Sequence, residues 1–245
     1  MNIKKKLKNN RTFIWLYNKI FNKYNIKKGN KLILRRCRTG GGIFTVKGVN
    51  NTVIIDAGAI LKNLQIDIFG NNNEVFIGKN VIAHDLKIWL EDDNNKINIS
   101  DDVTVSGNTS LACIEGTEIF VGKDCMLSSN IHIVTGDSHS LMTLSGERFN
   151  PSKSIHIGSH VWIGTDCRIL KGVHIGDNNV IGAGSLVTKS FSDNNTIIAG
   201  VPSKIIKEKK PPRRGGPVCP PENQMFEHSH KNSDINCVAI CDIFL

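Results

Sequence analysis

Between residues 155 and 190 the apolar positions recur every six residues, at Ile157, Ile163, Ile169, Ile175, Ile181 and Val187. Gly158, Gly164, Gly176 and Gly182 directly follow four of them. Neither the period of an α-helix nor the simple alternation of a lone strand produces this spacing. Two residues before each aliphatic sits a second, mostly small or apolar position: Ile155, Val161, Cys167, Val173, Asn179 and Ser185. Each hexad is therefore a short alternating strand followed by a bend, the hexapeptide pattern of a parallel β-helix.

Upstream the same pattern takes a longer step. An aliphatic-x-aliphatic triplet recurs at Val53, Val75, Ile97 and Ile119, 22 residues apart, and Ile33 extends the series Ile55, Ile77, Ile99, Val121 toward the N-terminus. "GVNNT", "GNNNE", "DDNNK" and "EGTE" precede the four triplets. Asn, Asp and Gly tolerate the left-handed backbone that sharp corners require. The reading is an 18-residue coil of three hexads enlarged by about four corner residues. From Ile119 to Ile155 the step is 36, one coil plus an excess of 18. Residues 135–154, "TGDSHSLMTLSGERFNPSKS", are thus predicted to leave the prism as a loop and return in register. A long loop projecting from a rigid repeat scaffold is usually either functional or disordered.

The chain ends follow other rules. Residues 12–24 place Phe13, Leu16, Tyr17, Ile20, Phe21 and Tyr24 on one face at helical spacing, which predicts an amphipathic helix covering the open first coil. The 245-residue chain has a formal charge of +9, but residues 1–31 carry nine lysines and Arg11 with no acid. The basic excess belongs to that end and suits peripheral contact of residues 1–30 with an anionic inner-membrane surface or polyanion; no nucleic-acid partner is expected. Lysines interrupt the apolar section and no cleavage pattern follows, so neither a signal peptide nor a membrane span is predicted. Seven cysteines without regular pairing point to a reducing cytoplasm, with Cys113, Cys125 and Cys167 as small core residues. Residues 208–245 hold five of the seven prolines and no hexads and are expected to be disordered. Cys219, His228, His230, Cys237 and Cys241 match no standard zinc spacing there, and no metal is expected. The division is a cap over 1–30, a β-helix over 31–207 and a tail over 208–245.

The run "SIHIGSHVWIGTDCRILKGVHIGDNNVIGAGSLVTKSF", followed by "IIAGVPSKIIKE", resembles the hexapeptide-repeat acyltransferases of the galactoside, maltose and capsule-polysaccharide O-acetyltransferase type, over about residues 50–208. That resemblance implies a left-handed β-helix, a homotrimer, and acetyl-CoA bound in a groove between subunits. It also implies a general base at His139, in "GDSHS", 23 residues before Trp162. Histidine suits the task because imidazole exchanges a proton near neutral pH. Asp137 is a candidate to orient the ring or, alternatively, a turn residue. Trp162 matches the aromatic lining the reaction centre and touching both substrates, and Thr165 a small cofactor contact. Ala183, Thr188 and Lys189 match pantetheine and nucleotide contacts; Lys204 and Lys207 match positions meeting the CoA phosphates. Galactoside-type enzymes carry an N-terminal helical substrate-binding segment that this sequence lacks. "SGERFN" and the histidine before "VW" resemble the sialic-acid capsule enzymes, which favours a capsule or lipopolysaccharide glycan as acceptor. Arg148 then either holds an anionic sugar or makes a loop salt bridge. Three other readings stay open: N-acetylation of an amino-sugar or small amine, a non-catalytic polysaccharide-binding β-helix, and a zinc enzyme of the γ-carbonic-anhydrase type using His132, His156 and His174.

Overall fold

The computed structural model describes residues 10–208 and consists of one helix and a three-sided parallel β-solenoid of eight turns. The chain visits the faces in fixed order, so each face is a parallel sheet: eight strands in the first, seven in the second and nine in the third. The last strand, Ser203–Glu208, breaks the pattern by running antiparallel to Thr196–Gly200 and closing the third face. The whole is a left-handed parallel β-helix.

The inward aliphatics explain the architecture. Ile55, Ile77, Ile99 and Val121 are paired in successive coils of the second face, and Ile119 pairs with Ile155 across the 36-residue step. These side chains are excluded from water along the length of the prism. Cys113, Cys125 and Cys167 are buried among them as free thiols, together with Cys37. Burial raises the Cys125 and Cys37 thiols to about 12, so they stay protonated and act as small apolar residues.

Corners are made by residues in the left-handed region, among them Asn50, Asn72, Asn94 and Asn130. Beside Asn50, Asn72 and Asn94, at the corner between the first and second faces, runs a buried polar ladder. Asn73 N–H donates to Asn51 Oδ1 and Asn95 N–H to Asn73 Oδ1, each at 2.8 Å, and Thr117 N–H donates to Asn95 Oδ1 at 3.1 Å. The Thr117 hydroxyl in turn meets that of Thr135 at 2.7 Å. A fully partnered ladder of this kind fixes the coil corner without leaving a buried polar group unpaired.

Two expectations about the N-terminal end are corrected. Ile33 is not the coil equivalent of Ile55: Leu34 pairs with Ile55, Ile33 pairs with Ile54, and Ile33 is 36% exposed. The first coil has shorter corners than its successors, and a one-residue change in a strand of period two turns each side chain to the opposite face. The helix, α1 (Arg11–Phe21), likewise presents an unexpected face. It buries Ile14 and Asn18, whereas Phe13, Leu16 and Ile20 of the predicted packing face are exposed, and Tyr24 belongs to the strand Lys23–Ile26. Hydrogen bonds supply the reason. Asn18 Nδ2 donates to Cys37 O at 2.8 Å and Asn18 Oδ1 accepts from Thr39 N–H at 3.0 Å, while Asn22 Oδ1 accepts from Gly42 N–H at 2.8 Å. The helix is docked by asparagines that satisfy the open coil's backbone, not by its apolar stripe. The tail predicted over 208–245, with its cysteine and histidine cluster, lies outside the described residues apart from the backbone of Glu208, as do residues 1–9.

Candidate active site

After Val134, on the first face, the chain leaves the prism, and it rejoins at Ile155 on the second. The excursion therefore stands on the corner between those faces. Its tip is a hairpin: Phe149 N–H donates to Leu141 O at 3.1 Å and Thr143 N–H to Glu147 O at 2.8 Å. Leu141, Met142, Leu144 and Phe149 lie exposed on it.

His139 is exposed at the base of this hairpin. Its main chain is held by Asn150, a buried side chain that uses both ends of its amide. Nδ2 donates to His139 O at 2.8 Å and to Asp137 Oδ2 at 2.8 Å, while Oδ1 accepts from Leu141 N–H at 2.6 Å. Lys171, on the same corner one coil further on, donates to Asp137 Oδ2 at 2.5 Å and to Asn150 O at 3.0 Å. The Lys171 ammonium and then Asn150 lower the Asp137 carboxyl below its ordinary value. From the coil before, Glu115 accepts from Arg148 Nη2 at 2.7 Å and from Ser152 N–H at 3.1 Å. Arg148 beside it holds the Glu115 carboxyl down at about 2. The loop is thus clamped to both adjacent coils, with the His139 imidazole free of hydrogen bonds among the described residues.

Asp137 therefore does not orient the ring directly in this structure; its carboxylate serves Asn150 and Lys171. Arg148 is committed to Glu115. Asn150, Lys171 and Glu115 were not singled out in the sequence. Their signal was corner register: Glu115 and Lys171 occupy the same corner in the coils before and after the loop.

The remaining candidates divide between two places. Trp162 lies on the third face, 37% exposed, its Nε1 donating to Ser128 Oγ at 3.3 Å. Thr165 and Ala183 follow third-face strands and stack at the corner with the first face, where Gly184 N–H donates to Thr165 O at 2.8 Å. Lys204 and Lys207 are exposed on the closing strand of that third face. Thr188 and Lys189 follow the first-face strand Leu186–Val187 and stand on the corner that bears the loop, two coils beyond it. In a three-sided prism the corner between the first two faces is opposite the third face, so His139 and Trp162 of one chain are on opposite sides. The histidines of the zinc reading do not meet either. His156 and His174 stack on the second face with ring centroids 5.0 Å apart, whereas His132 is on the first.

A three-sided hexapeptide solenoid with one long loop carrying a histidine is the architecture of an acyltransferase class, and comparison with known proteins agrees. The family model for bacterial transferase hexapeptide (six repeats) matches residues 154–189. The chain is 36% identical over 152 residues to the polysialic acid O-acetyltransferase of Neisseria meningitidis, covering 54% of this chain and 71% of that protein. It is 40% identical over 103 residues to the galactoside O-acetyltransferase of Escherichia coli (strain K12), covering 41% and 49%. The solved structure of the polysialic acid O-acetyltransferase OatWY matches with a TM-score of 0.74 at 32% identity, over 84% of this chain and 98% of that one. The chain belongs to the hexapeptide-repeat O-acetyltransferases.

Proposed function

We propose that this protein transfers an acetyl group from acetyl-CoA to a hydroxyl of an anionic surface glycan, a capsule or lipopolysaccharide sugar or its precursor, with His139 as general base. The observation that carries the reading is the clamp on the His139 main chain, which fixes the residue while leaving its ring open to a substrate. His139 takes the proton of the acceptor hydroxyl as that oxygen attacks the thioester carbonyl; the C–S bond then breaks, and the imidazolium returns the proton to the CoA thiolate. A backbone N–H supplies the charge stabilisation that the tetrahedral oxyanion requires. Relatedness to a polysialic acid O-acetyltransferase supports an acidic polysaccharide acceptor.

The site is formed between copies in a homotrimer. His139 on one corner cannot meet Trp162 on the opposite face of its own prism, but it can meet that of a neighbour, and the exposed Leu141, Met142, Leu144 and Phe149 give the hairpin an apolar surface to lay on that neighbour. The groove then takes Trp162, Thr165, Ala183, Lys204 and Lys207 from one subunit and His139, Thr188 and Lys189 from the next. Arg148, paired with Glu115, shapes the acceptor end of the loop. Four buried free thiols suit work in the cytoplasm.

Thiol release from acetyl-CoA, measured with a panel of bacterial surface glycans, tests the reading. Glycan-dependent release by the wild type that is lost in His139→Ala supports it. Release with amine acceptors alone moves the chemistry to N-acetylation, and no acetyl-CoA binding by calorimetry sinks transfer altogether.

A further inference from the structure

Helix α1 is amphipathic, yet the prism does not use its apolar side. Phe13, Leu16 and Ile20 are 43%, 47% and 63% exposed and lie on the side of the helix away from Ile14 and Asn18. On the other flank of the helix, the one that carries Ile14, Trp15, Asn18 and Lys19, an open groove of about 870 Å³ separates it from the strand Lys31–Leu34 and the turn after it. Its lining is mixed in a particular way: apolar surface from Trp15, Leu32 and Leu34, and four cations, Arg11, Lys19, Arg35 and Arg36. Asp56 is the single acid among the lining residues and stands 3.9 Å from Arg35, so the lining keeps a net charge of +3 (4 − 1). Lys19 Nζ lies 5.0 Å over the Trp15 ring, placing an indole and an ammonium together at the groove's rim. Lys23, Lys27 and Lys28 are exposed close by in the chain. Among the described residues no helix is long and apolar enough to cross a membrane.

We propose that α1 and this groove form a docking site for an anionic phospholipid surface. The stripe of Phe13, Leu16 and Ile20 enters the interfacial layer, Trp15 sits at headgroup depth, and the groove cations meet lipid phosphates. Charge complementarity selects this occupant: a second copy of the same surface would bring like charges together, and a neutral partner would leave the net charge of +3 uncompensated. The loop-bearing coil is the sixth strand of the first face, five spacings of about 4.8 Å or roughly 24 Å from the docked end. That end thus anchors the molecule without obstructing the His139 corner.

Co-sedimentation of the purified full chain with phosphatidylcholine vesicles, with and without phosphatidylglycerol, tests the site. The expected result is binding only to the anionic vesicles. Leu16→Glu with Ile20→Glu should abolish it, and Arg35→Glu with Arg36→Glu should weaken it about tenfold or more. All four positions lie on the surface, and circular dichroism checks that the variants fold. Equal binding to pure phosphatidylcholine, or binding indifferent to both double variants, overturns the proposal. So does conversion of the wild-type oligomer to smaller species by the Leu16/Ile20 variant, which makes the stripe a contact between copies. A requirement to delete residues 209–245 before any vesicle binds overturns it as well, because that segment then owns the stripe. The readout does not involve acetyl transfer, so it stands or falls separately from the role of His139.

Discussion

Asn150 donates a hydrogen bond to the carbonyl oxygen of His139 at 2.8 Å, so the residue proposed as base is held through its main chain by a buried side chain eleven positions later. The same amide holds Asp137 and Leu141, and with Lys171 it joins the loop root to the next coil. Asn150→Ala leaves these groups short of partners and is expected to cost about 1–3 kcal/mol. Because the ring would lose its fixed origin, kcat should fall about tenfold or more while KM for acetyl-CoA changes little. Steady-state kinetics and thermal unfolding on the same preparation check both, and an unchanged kcat rejects the positioning role.

His139→Ala should reduce glycan-dependent thiol release by about a hundred- to ten-thousandfold, the usual contribution of a general base. The side chain is exposed and contributes no packing to the prism, so the melting temperature should stay at the wild-type value. Activity above one tenth of wild type would transfer the base to another group.

Separation of His139 and Trp162 on opposite sides of one prism predicts complementation. His139→Ala and Trp162→Ala, each impaired alone, should regain activity when co-expressed, toward about a quarter of the sites under random mixing, because a site then draws His139 from one chain and Trp162 from another. Mixtures no more active than their parents would mean that each site is built within one chain.

Acid should loosen the loop before the prism. Arg148 holds Glu115 at about 2, below its ordinary 4.5, and Lys171 with Asn150 lowers Asp137. A carboxyl with a depressed native pKa stabilises the fold fully above its ordinary value and loses that contribution as pH falls through the native one. Hydrogen exchange of residues 141–149 should therefore accelerate between about pH 4.5 and 2. Glu115→Gln should show faster exchange already at neutral pH and a flatter profile. Both groups are partly exposed, so the effect is screened and should shrink in high salt.

Coil stacking leaves no room at some corners. A Cβ on Gly70 would overlap the Asp92 carbonyl of the next coil, so Gly70→Ala must displace backbone. A loss of about 1–3 kcal/mol, read as a lower denaturation midpoint, is expected.

How far the chain itself announced these features follows from the physics of a repeat. Every coil asks for the same residue types at the same inward positions, so Ile157 to Val187 and Ile55 to Val121 are legible as ladders in one dimension, and the interruption between Val134 and Ile155 is legible as a break in them. The corner Asn and Asp residues are legible for the same reason, since the left-handed backbone admits few others. Where a coil departs from the average length, the pattern misleads: a shorter corner in the first coil turned Ile33 outward. Helical periodicity located the apolar stripe of α1 but not its direction, because Asn18 and Asn22 were drawn to the unpaired backbone of the first coil. Hexad spacing alone dictates the solenoid, its inward ladders and the place of the loop. What holds His139 emerges on folding, because Asn150, Lys171 and Glu115 come together through the stacking of three coils, a proximity set by the lengths of corners and not by any local period.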